Sequence, residues 1–441
     1  MDITRLIKSI GYSIILSLFD CGRMLKRDLF NNTLIIILIG AIYSFLSFHI
    51  FTGILFIILF IVFEHIPNLI DDIPKVVNSP TQMSQIIRDK MEFKPFSLDV
   101  SNGTGVDQTI FVGGRFGIKE EFKREEVDSV DGGMFAMDWL HGNELTDESP
   151  IILVYHGLAG GSRESYVERF CHFALQAKYR TVVVTCRGSA GTRIKTPRAF
   201  NSTSVDDSIT AIKHAHELYP KAQLMGIGYS LGGMILSQVN GRLTTEFLRD
   251  NNYIGTLTIS PTWNSLIISD VISSSFMGNF YRSLAHIIDK NYDFLKECND
   301  NGQINIDLEV LKKRACKKNI LAFDRFFNSK IFKYGDPMIY YYDIETWHTN
   351  LPKCKIPYMS LNSFDDPIAR FSFGTEQRIK NVVGSGKNLM SVFTKTGGHL
   401  GWVSSKRKTI GWDDKLALQY FGVLLDLQKS GLYDKLLNEL E

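Results

Sequence analysis

The sequence predicts an α/β fold in which a mostly parallel sheet is covered by helices on both faces. Two observations predict it. Short apolar runs without polar alternation recur along most of the chain, each flanked by turn residues, and such runs are typical of strands that are buried on both faces. Longer helical patterns separate these runs, as the crossover connections between parallel strands require.

The elements can be placed in order along the chain. The predicted strands are Gln108–Gly114, Gly133–Leu140, Ile151–Tyr155, Thr181–Thr185, Leu224–Gly228, Ile254–Ile259, Ile356–Leu361 and Leu389–Phe393. The predicted helices are Thr81–Met91, Arg163–Ala177, Val205–Leu218, Leu231–Leu248, Gly374–Val383 and Asp414–Gln428.

One stretch, about residues 261–351, breaks the alternation and is called the helical insertion below. It is predicted to be helical and aromatic, and it lies between two strands. Because open α/β sheets bind ligands at the carboxyl edge of their strands, we interpret the insertion as a lid over that edge. The alternative is a small helical domain with no role in access.

Composition excludes several classes of protein. The 441 residues have a formal net charge of +2, with 49 basic and 47 acidic residues, so the basic excess of a nucleic-acid binder is absent. The cysteines have no zinc-binding spacing, and no P-loop or H-E-x-x-H motif occurs. We therefore expect no metal and no cofactor. A disulfide between Cys298 and Cys316 is left open.

A membrane anchor is predicted near the N-terminus. Residues Leu34–Phe63 contain no Asp, Glu, Lys or Arg, and a helix of about 20 apolar residues crosses a bilayer. The run is long enough for one crossing with some tilt but too short for two. It begins too late and is too long for a signal peptide. A soluble core helix of this length would have a polar face.

The charges that flank this run predict its orientation. Basic residues precede it, whereas Glu64, Asp71 and Asp72 follow it. The positive-inside rule then places the N-terminus in the cytosol, as in a type II single-pass protein, with the endoplasmic reticulum as a candidate organelle. The sequons at Asn102 and Asn201 are compatible with a lumenal domain. The predicted organisation is a cytosolic segment (1–33), an anchor (34–63), a linker with an amphipathic helix (64–94) and a catalytic domain (95–441).

The motif Gly228-Tyr229-Ser230-Leu231-Gly232 predicts a nucleophile. It follows an apolar strand and begins a helix, and a serine at such a turn has a strained backbone that raises its hydroxyl above the sheet. Glycines two positions before and after the serine are needed because a β-carbon there would collide with neighbouring backbone. A serine that only caps the helix is the alternative.

A serine hydroxyl needs a base, and the base needs an acid to orient it. His399 follows the last predicted strand in a glycine-rich loop, and Asp366 follows the strand before it. This order along the chain, Ser–Asp–His, is the one that G-x-S-x-G hydrolases use. Asp366 is favoured over its neighbour Asp365, which could instead hold the turn.

Two backbone N–H groups are predicted to form an oxyanion hole. Leu231 supplies one at the start of the nucleophile's helix, and Leu158 supplies the other from the loop His156-Gly157-Leu158-Ala159-Gly160. We expect His156 to brace this loop rather than to transfer protons.

Five segments resemble one branch of the α/β-hydrolases in order and spacing. They are HGLAGGSRESYV, VVTCRGSAGTRIKTPRAF, GIGYSLGGMIL, LNSFDDPIA and GGHLGW. The branch comprises membrane-anchored α/β-hydrolase-domain proteins, among them monoacylglycerol lipases, phospholipases and fungal medium-chain ethyl-ester synthases. The resemblance spans about residues 95–427. By position, the family's nucleophile, acid and base correspond to Ser230, Asp366 and His399.

The resemblance implies the α/β-hydrolase fold and a serine carboxylesterase or lipase that hydrolyses acylglycerols or related lipid esters at a membrane. Two alternatives stay open: an acyltransferase that uses the same triad with an alcohol as acceptor, and an inactive receptor. The family often has Asn and His before the RG of the second motif, where this chain has Thr185 and Cys186. Acyl-chain length, head group and oligomeric state are not determined by the sequence.

Overall fold

The computed structural model describes residues 73–96, 104–113, 119–265, 274–311, 320–371, 374–403 and 409–440, together with Ile42, Ile54, Leu55 and Ile58. The predicted N-terminal segment and anchor therefore lie outside the described residues, apart from those four positions. Within the described ranges, no helix combines the length and the hydropathy that a bilayer crossing needs. Contacts divide the chain between Ile70 and Asp71, and the fold below belongs to residues 71–441.

The described residues contain one sheet of nine strands. Its strands are β1 (Lys75–Asn78), β2 (Phe122–Asp128), β3 (Met134–Leu140), β4 (Ile151–Tyr155), β5 (Arg180–Thr185), β6 (Leu224–Tyr229), β7 (Tyr253–Ile259), β8 (Tyr358–Ser363) and β9 (Leu389–Thr394). They lie in the order β1-β9-β8-β7-β6-β4-β5-β3-β2.

The six neighbouring strands from β9 to β5 pair in parallel. Every residue of these strands is buried, so both faces of this part of the sheet are covered. At the two margins β1 pairs antiparallel with β9, and β3 pairs antiparallel with β5 and β2. The predicted mostly parallel sheet is therefore confirmed.

Helices connect the strands. They are α1 (Gln82–Lys90), α2 (Gly105–Val112), α3 (Ser165–Gln176), α4 (Asp206–Leu218), α5 (Leu231–Arg242), α6 (Thr245–Asp250), α7 (Ser274–Lys290), α8 (Tyr292–Asp300), α9 (Leu308–Val310), α10 (Ile320–Phe323), α11 (Ser329–Ile331), α12 (Pro337–Glu345), α13 (Trp347–Asn350), α14 (Thr375–Ser385), α15 (Trp412–Lys429) and α16 (Leu432–Asn438). A π-helical turn, Asp324–Asn328, joins α10 to α11, and a 3₁₀ turn, Leu351–Lys353, follows α13.

Two predicted elements differ in the structure. The predicted strand Gln108–Gly114 is wrong, because these residues belong largely to helix α2. Thr104 and Asp107 form a capping box that starts this helix, and this local stabilisation overrides the β-forming character of Thr, Ile, Phe and Val. The predicted helix Leu231–Leu248 is divided into α5 and α6 because Leu243 is extended and Thr244 caps a new helix.

The predicted start of the catalytic domain, residue 95, is too late for the sheet. Strand β1 pairs with β9, although its four residues KVVN give only a weak strand signal. The Ser79 hydroxyl then donates to the Val383 carbonyl oxygen (2.7 Å). Residues 75–90 are therefore part of this fold and are not a linker.

Candidate active site

Ser230 lies at the sharp turn between β6 and α5. Its φ of 54° and ψ of −113° form a strained conformation for a residue with a β-carbon. The Ser230 N–H donates to the carbonyl oxygen of Ile259 (2.9 Å) at the end of β7. This bond fixes the turn to the neighbouring strand, at the carboxyl edge of the sheet.

The flanking glycines explain why this turn can form. A β-carbon on Gly228 would lie 2.4 Å from the carbonyl oxygen of Gly232, and one on Gly232 would lie 2.2 Å from that of Tyr155. Both distances are far below van der Waals contact, so larger residues would push α5 away from the sheet. The close approach of helix and strand is what holds Ser230 in place.

His399 reaches Ser230 from the loop that follows β9. Its Nε2 lies 2.9 Å from Ser230 Oγ, and only 4% of the residue is exposed. Gly397 and Gly398 precede it with positive φ, and a β-carbon on Gly398 would lie 2.1 Å from the Gly105 carbonyl oxygen. The glycines therefore let the loop pass close to helix α2.

Asp366 completes the arrangement from the loop after β8. Its Oδ2 lies 2.8 Å from His399 Nδ1, and its Oδ1 accepts the N–H groups of Ile368 and Ala369, both at 2.7 Å. Because a carboxylate only accepts hydrogen bonds, Nδ1 carries the imidazole proton and Nε2 is left to accept from the Ser230 hydroxyl. The structure thus brings together the three side chains that the sequence singled out.

The neighbouring Asp365 faces a different partner. Its Oδ1 accepts the N–H of Gly398 (2.9 Å), so this carboxylate holds the backbone of the histidine loop. Burial is the main cause that raises the pKa of Asp365 to about 6, and the nearby Asp366 adds to it. Asp365 therefore supports the loop, whereas Asp366 contacts the imidazole.

His156 braces the loop that carries Leu158. The Cys186 N–H donates to His156 Nε2 (3.1 Å), so Nδ1 carries the proton and donates to the carbonyl oxygen of Gly157 (2.7 Å). Burial lowers the pKa of His156 to about 4, which keeps the ring neutral at physiological pH. The Tyr166 hydroxyl also accepts the Gly157 N–H (2.9 Å).

Helix α2 holds the histidine loop from outside the sheet. The His399 N–H donates to Thr109 Oγ1 (2.8 Å), and the Val403 N–H donates to Gln108 Oε1 (3.2 Å). Sequence reasoning missed both residues because it assigned them to a strand. The Thr104-x-x-Asp107 spacing was the signal that could have revealed the helix.

A cavity opens beside Ser230. Leu158 and Leu231, the two predicted oxyanion donors, line it together with Ser230. Its far walls come from the helical insertion, where Phe323, Tyr341 and Ile344 contribute. The cavity has the mainly apolar lining of a small-molecule site, which suits an acyl chain beside the serine.

Comparison with known proteins gives named relatives. A human protein named "Phospholipase ABHD3" is 30% identical over 297 residues, which cover 64% of this chain and 67% of the relative. An "Abhydrolase domain-containing protein" of Dictyostelium discoideum is 30% identical over 317 residues, covering 68% and 73%. A "Monoacylglycerol lipase" of Saccharomyces cerevisiae is 24% identical over 266 residues, covering 59% and 56%. No family model matches the sequence.

Proposed function

This chain belongs to the α/β-hydrolase-domain family and is a hydrolase, and we propose that it is a serine carboxylesterase that cleaves acyl esters of lipids through Ser230, Asp366 and His399. One observation carries the proposal. The distances from Ser230 Oγ to His399 Nε2 (2.9 Å) and from His399 Nδ1 to Asp366 Oδ2 (2.8 Å) are both within hydrogen-bonding range.

The chemistry follows from these contacts. His399 takes the proton of the Ser230 hydroxyl as Oγ attacks the ester carbonyl carbon, and Asp366 stabilises the resulting imidazolium. The N–H groups of Leu158 and Leu231 are our candidates for stabilising the oxyanion. The imidazolium then gives its proton to the departing alcohol, which leaves an acyl-enzyme. In the second half of the reaction His399 takes a proton from water as the water oxygen attacks the acyl carbonyl carbon, and the imidazolium returns that proton to Ser230 Oγ as the acid leaves.

A lipid substrate is supported by two lines of evidence. The cavity beside Ser230 is lined mainly by apolar and aromatic side chains, which suits an acyl chain. Relatives are named phospholipase and monoacylglycerol lipase. Transfer of the acyl group to an alcohol would use the same acyl-enzyme, and product analysis with and without added alcohol separates the two reactions.

Labelling by a fluorophosphonate probe tests the nucleophile. We expect the parent protein to be labelled and Ser230→Ala not to be labelled. We also expect Ser230→Ala to hydrolyse esters at least about 10³-fold more slowly than the parent. Ser237→Ala is the matched control, since Ser237 lies on the same helix and its hydroxyl contacts Tyr358 and the Gly233 carbonyl oxygen. Unchanged labelling of Ser230→Ala would overturn the assignment.

A further inference from the structure

The cavity above Ser230 contains a polar cluster that the ester cleavage described above does not use. Asp324, Asn328 and Tyr341 line it at the wall formed by the helical insertion. Asp324 and Asn328 are the two ends of the π-helical turn, and π-helical turns are frequent at functional sites. A carboxylate in a mainly apolar cavity is costly unless something compensates it.

Asp324 is a buried acid without a cation beside it among the described residues. It is 4% exposed, and its carboxylate accepts hydrogen bonds from two neutral groups, the Tyr341 hydroxyl and the Asn328 amide, both at 2.7 Å. Burial raises the pKa of Asp324 to about 6, so it is mostly ionised at pH 7. A carboxylate has room for about four hydrogen bonds, which leaves acceptor capacity for a ligand.

Asn328 adds an unpaired acceptor to this cluster. The residue is 2% exposed, and its Oδ1 has no hydrogen-bond partner within the described ranges. Its amide nitrogen must face Asp324, because the carboxylate can only accept, so the unpaired oxygen is the atom that remains. Buried acceptors of this kind are normally paired, and an unpaired one requires an explanation.

Another polar pair in the cavity differs in this respect. Ser202 Oγ and Tyr340 Oη lie 2.7 Å apart, and the Ser202 N–H donates to the same tyrosine oxygen, so these two side chains satisfy each other. The cluster of Asp324 and Asn328 instead presents the unpaired Oδ1 of Asn328 beside a carboxylate that has remaining acceptor capacity. The complementary ligand group is therefore a hydrogen-bond donor that reaches a cavity it shares with Ser230.

We propose that Asp324 and Asn328 bind a free hydroxyl on the alcohol moiety of the ester substrate. The acyl chain cannot fill this role because it has no donor, so the donor belongs to the group that leaves. This inference rests on the proposed esterase function and deepens it. The substrate class is an ester whose alcohol keeps at least one hydroxyl, such as a partial glyceride.

A comparison of two esters of the same fatty acid, the monoacylglycerol and the methyl ester, tests the proposal. A hydrogen bond to a charged acceptor is worth about 10- to 100-fold in a rate ratio. We therefore expect Asp324→Asn to lower the ratio of kcat/KM for monoacylglycerol to that for methyl ester by about 10-fold or more. Asparagine has the same shape and can still accept from Asn328.

Asp343→Asn is the matched control. Asp343 also lies in the helical insertion and also accepts a tyrosine hydroxyl, that of Tyr334 at 2.6 Å, but it does not belong to the cavity lining. We expect this variant to keep the parent's ratio. An equal fall in the control would show that the effect comes from loosening the insertion and would overturn the proposal.

Asn328→Leu provides a second test if Asp324→Asn does not fold. It removes the unpaired oxygen, and we expect it to lower the same ratio. Parent-like ratios in the variants that fold would overturn the hydroxyl site while leaving the esterase function intact. Absence of hydrolysis of either ester by the parent protein would instead overturn the esterase function itself, so the two failures are distinguishable.

Discussion

Asp365 and Asp366 are adjacent in the chain, yet their carboxylates accept hydrogen bonds from different partners. Asp366 accepts from the imidazole and from two backbone N–H groups of its own turn, whereas Asp365 accepts from the Gly398 backbone. The sequence left a choice between them because both follow the same strand. The direction of each side chain decides which aspartate contacts the imidazole and which one supports the histidine loop. A sequence does not contain that direction.

Replacement of each aspartate by asparagine distinguishes these roles. We expect Asp366→Asn to lower kcat by about 10³- to 10⁴-fold, because the amide favours the wrong imidazole tautomer. Asp365→Asn keeps an acceptor for Gly398 and removes a buried charge, so we expect activity within about 10-fold of the parent and no loss of thermal stability. Ester-hydrolysis kinetics and thermal melts measure both, and the reverse pattern would exchange the two assignments.

At the scale of elements, the Ser230 turn and the His399 loop of the candidate active site are supported in different ways. The turn that carries Ser230 is built from a local pattern, strand, tight turn and helix, and the sequence therefore predicted this turn and its flanking glycines. The histidine loop is held by α2, whose Thr109 lies far from His399 in the chain and contacts its backbone. Local propensity favours a strand for these residues, and only the distant contact and the capping box explain the helix.

The two edge strands of the sheet, β1 and β2, were not predicted because their sequence signal is weak. Strand β2 has the sequence FKREEVD, with a mostly exposed pattern, and β1 is only four residues long. Neither has the apolar run that marked the central strands. Edge strands gain their stability from pairing with a neighbour rather than from burial of both faces, so their signal in the sequence is weak.

A buried ion cluster joins α3 to the start of α15. Arg169 Nη2 lies 2.6 Å from Asp413 Oδ2, and its Nε lies 2.6 Å from Asp414 Oδ2. All three residues are buried. The attraction offsets the cost of removing these charges from water only while the partners stay paired.

We expect Arg169→Met to lower the free energy of unfolding by about 3–5 kcal/mol, because it leaves two buried carboxylates without their cation. Chemical denaturation measures the change. Lys296→Met is the matched control, since Lys296 pairs with Asp300 on the exposed surface of α8, where water and salt screen the pair and it contributes little to stability. Equal effects of the two variants would show that the buried cluster adds no special stability.

At the scale of the whole molecule, the sequence predicted the parallel core of the sheet because each buried strand has its own apolar run. It predicted a helical insertion but not its arrangement. Asp324 in the π-helical turn accepts a hydrogen bond from Tyr341 in a later helix, and no local pattern encodes this contact. The burial of the sequon at Asn201 was likewise not predicted from the sequence. Asn201 is buried and its Oδ1 accepts from Thr203, so the folded domain offers no room for a glycan there.

The association of the whole chain with a membrane stays a prediction from residues Leu34–Phe63, and it can be tested in the full-length protein. If this run spans a bilayer, alkaline carbonate should leave the protein in the membrane pellet. Adding Lys at positions 46 and 50 (Leu46→Lys, Ile50→Lys), near the middle of the run, should release it, because each charge costs about 2.5–3.5 kcal/mol at the centre of a span.

The control carries the same two charges on the surface of the hydrolase unit. Val130→Lys and Tyr342→Lys replace exposed apolar side chains, so we expect this variant to stay in the pellet like the parent. The comparison separates insertion of the run from any general effect of added charge on extraction. Extraction of the parent protein by carbonate would contradict the predicted anchor. A lipid ester would then have to reach the cavity beside Ser230 without a membrane-spanning segment that holds the protein at the bilayer.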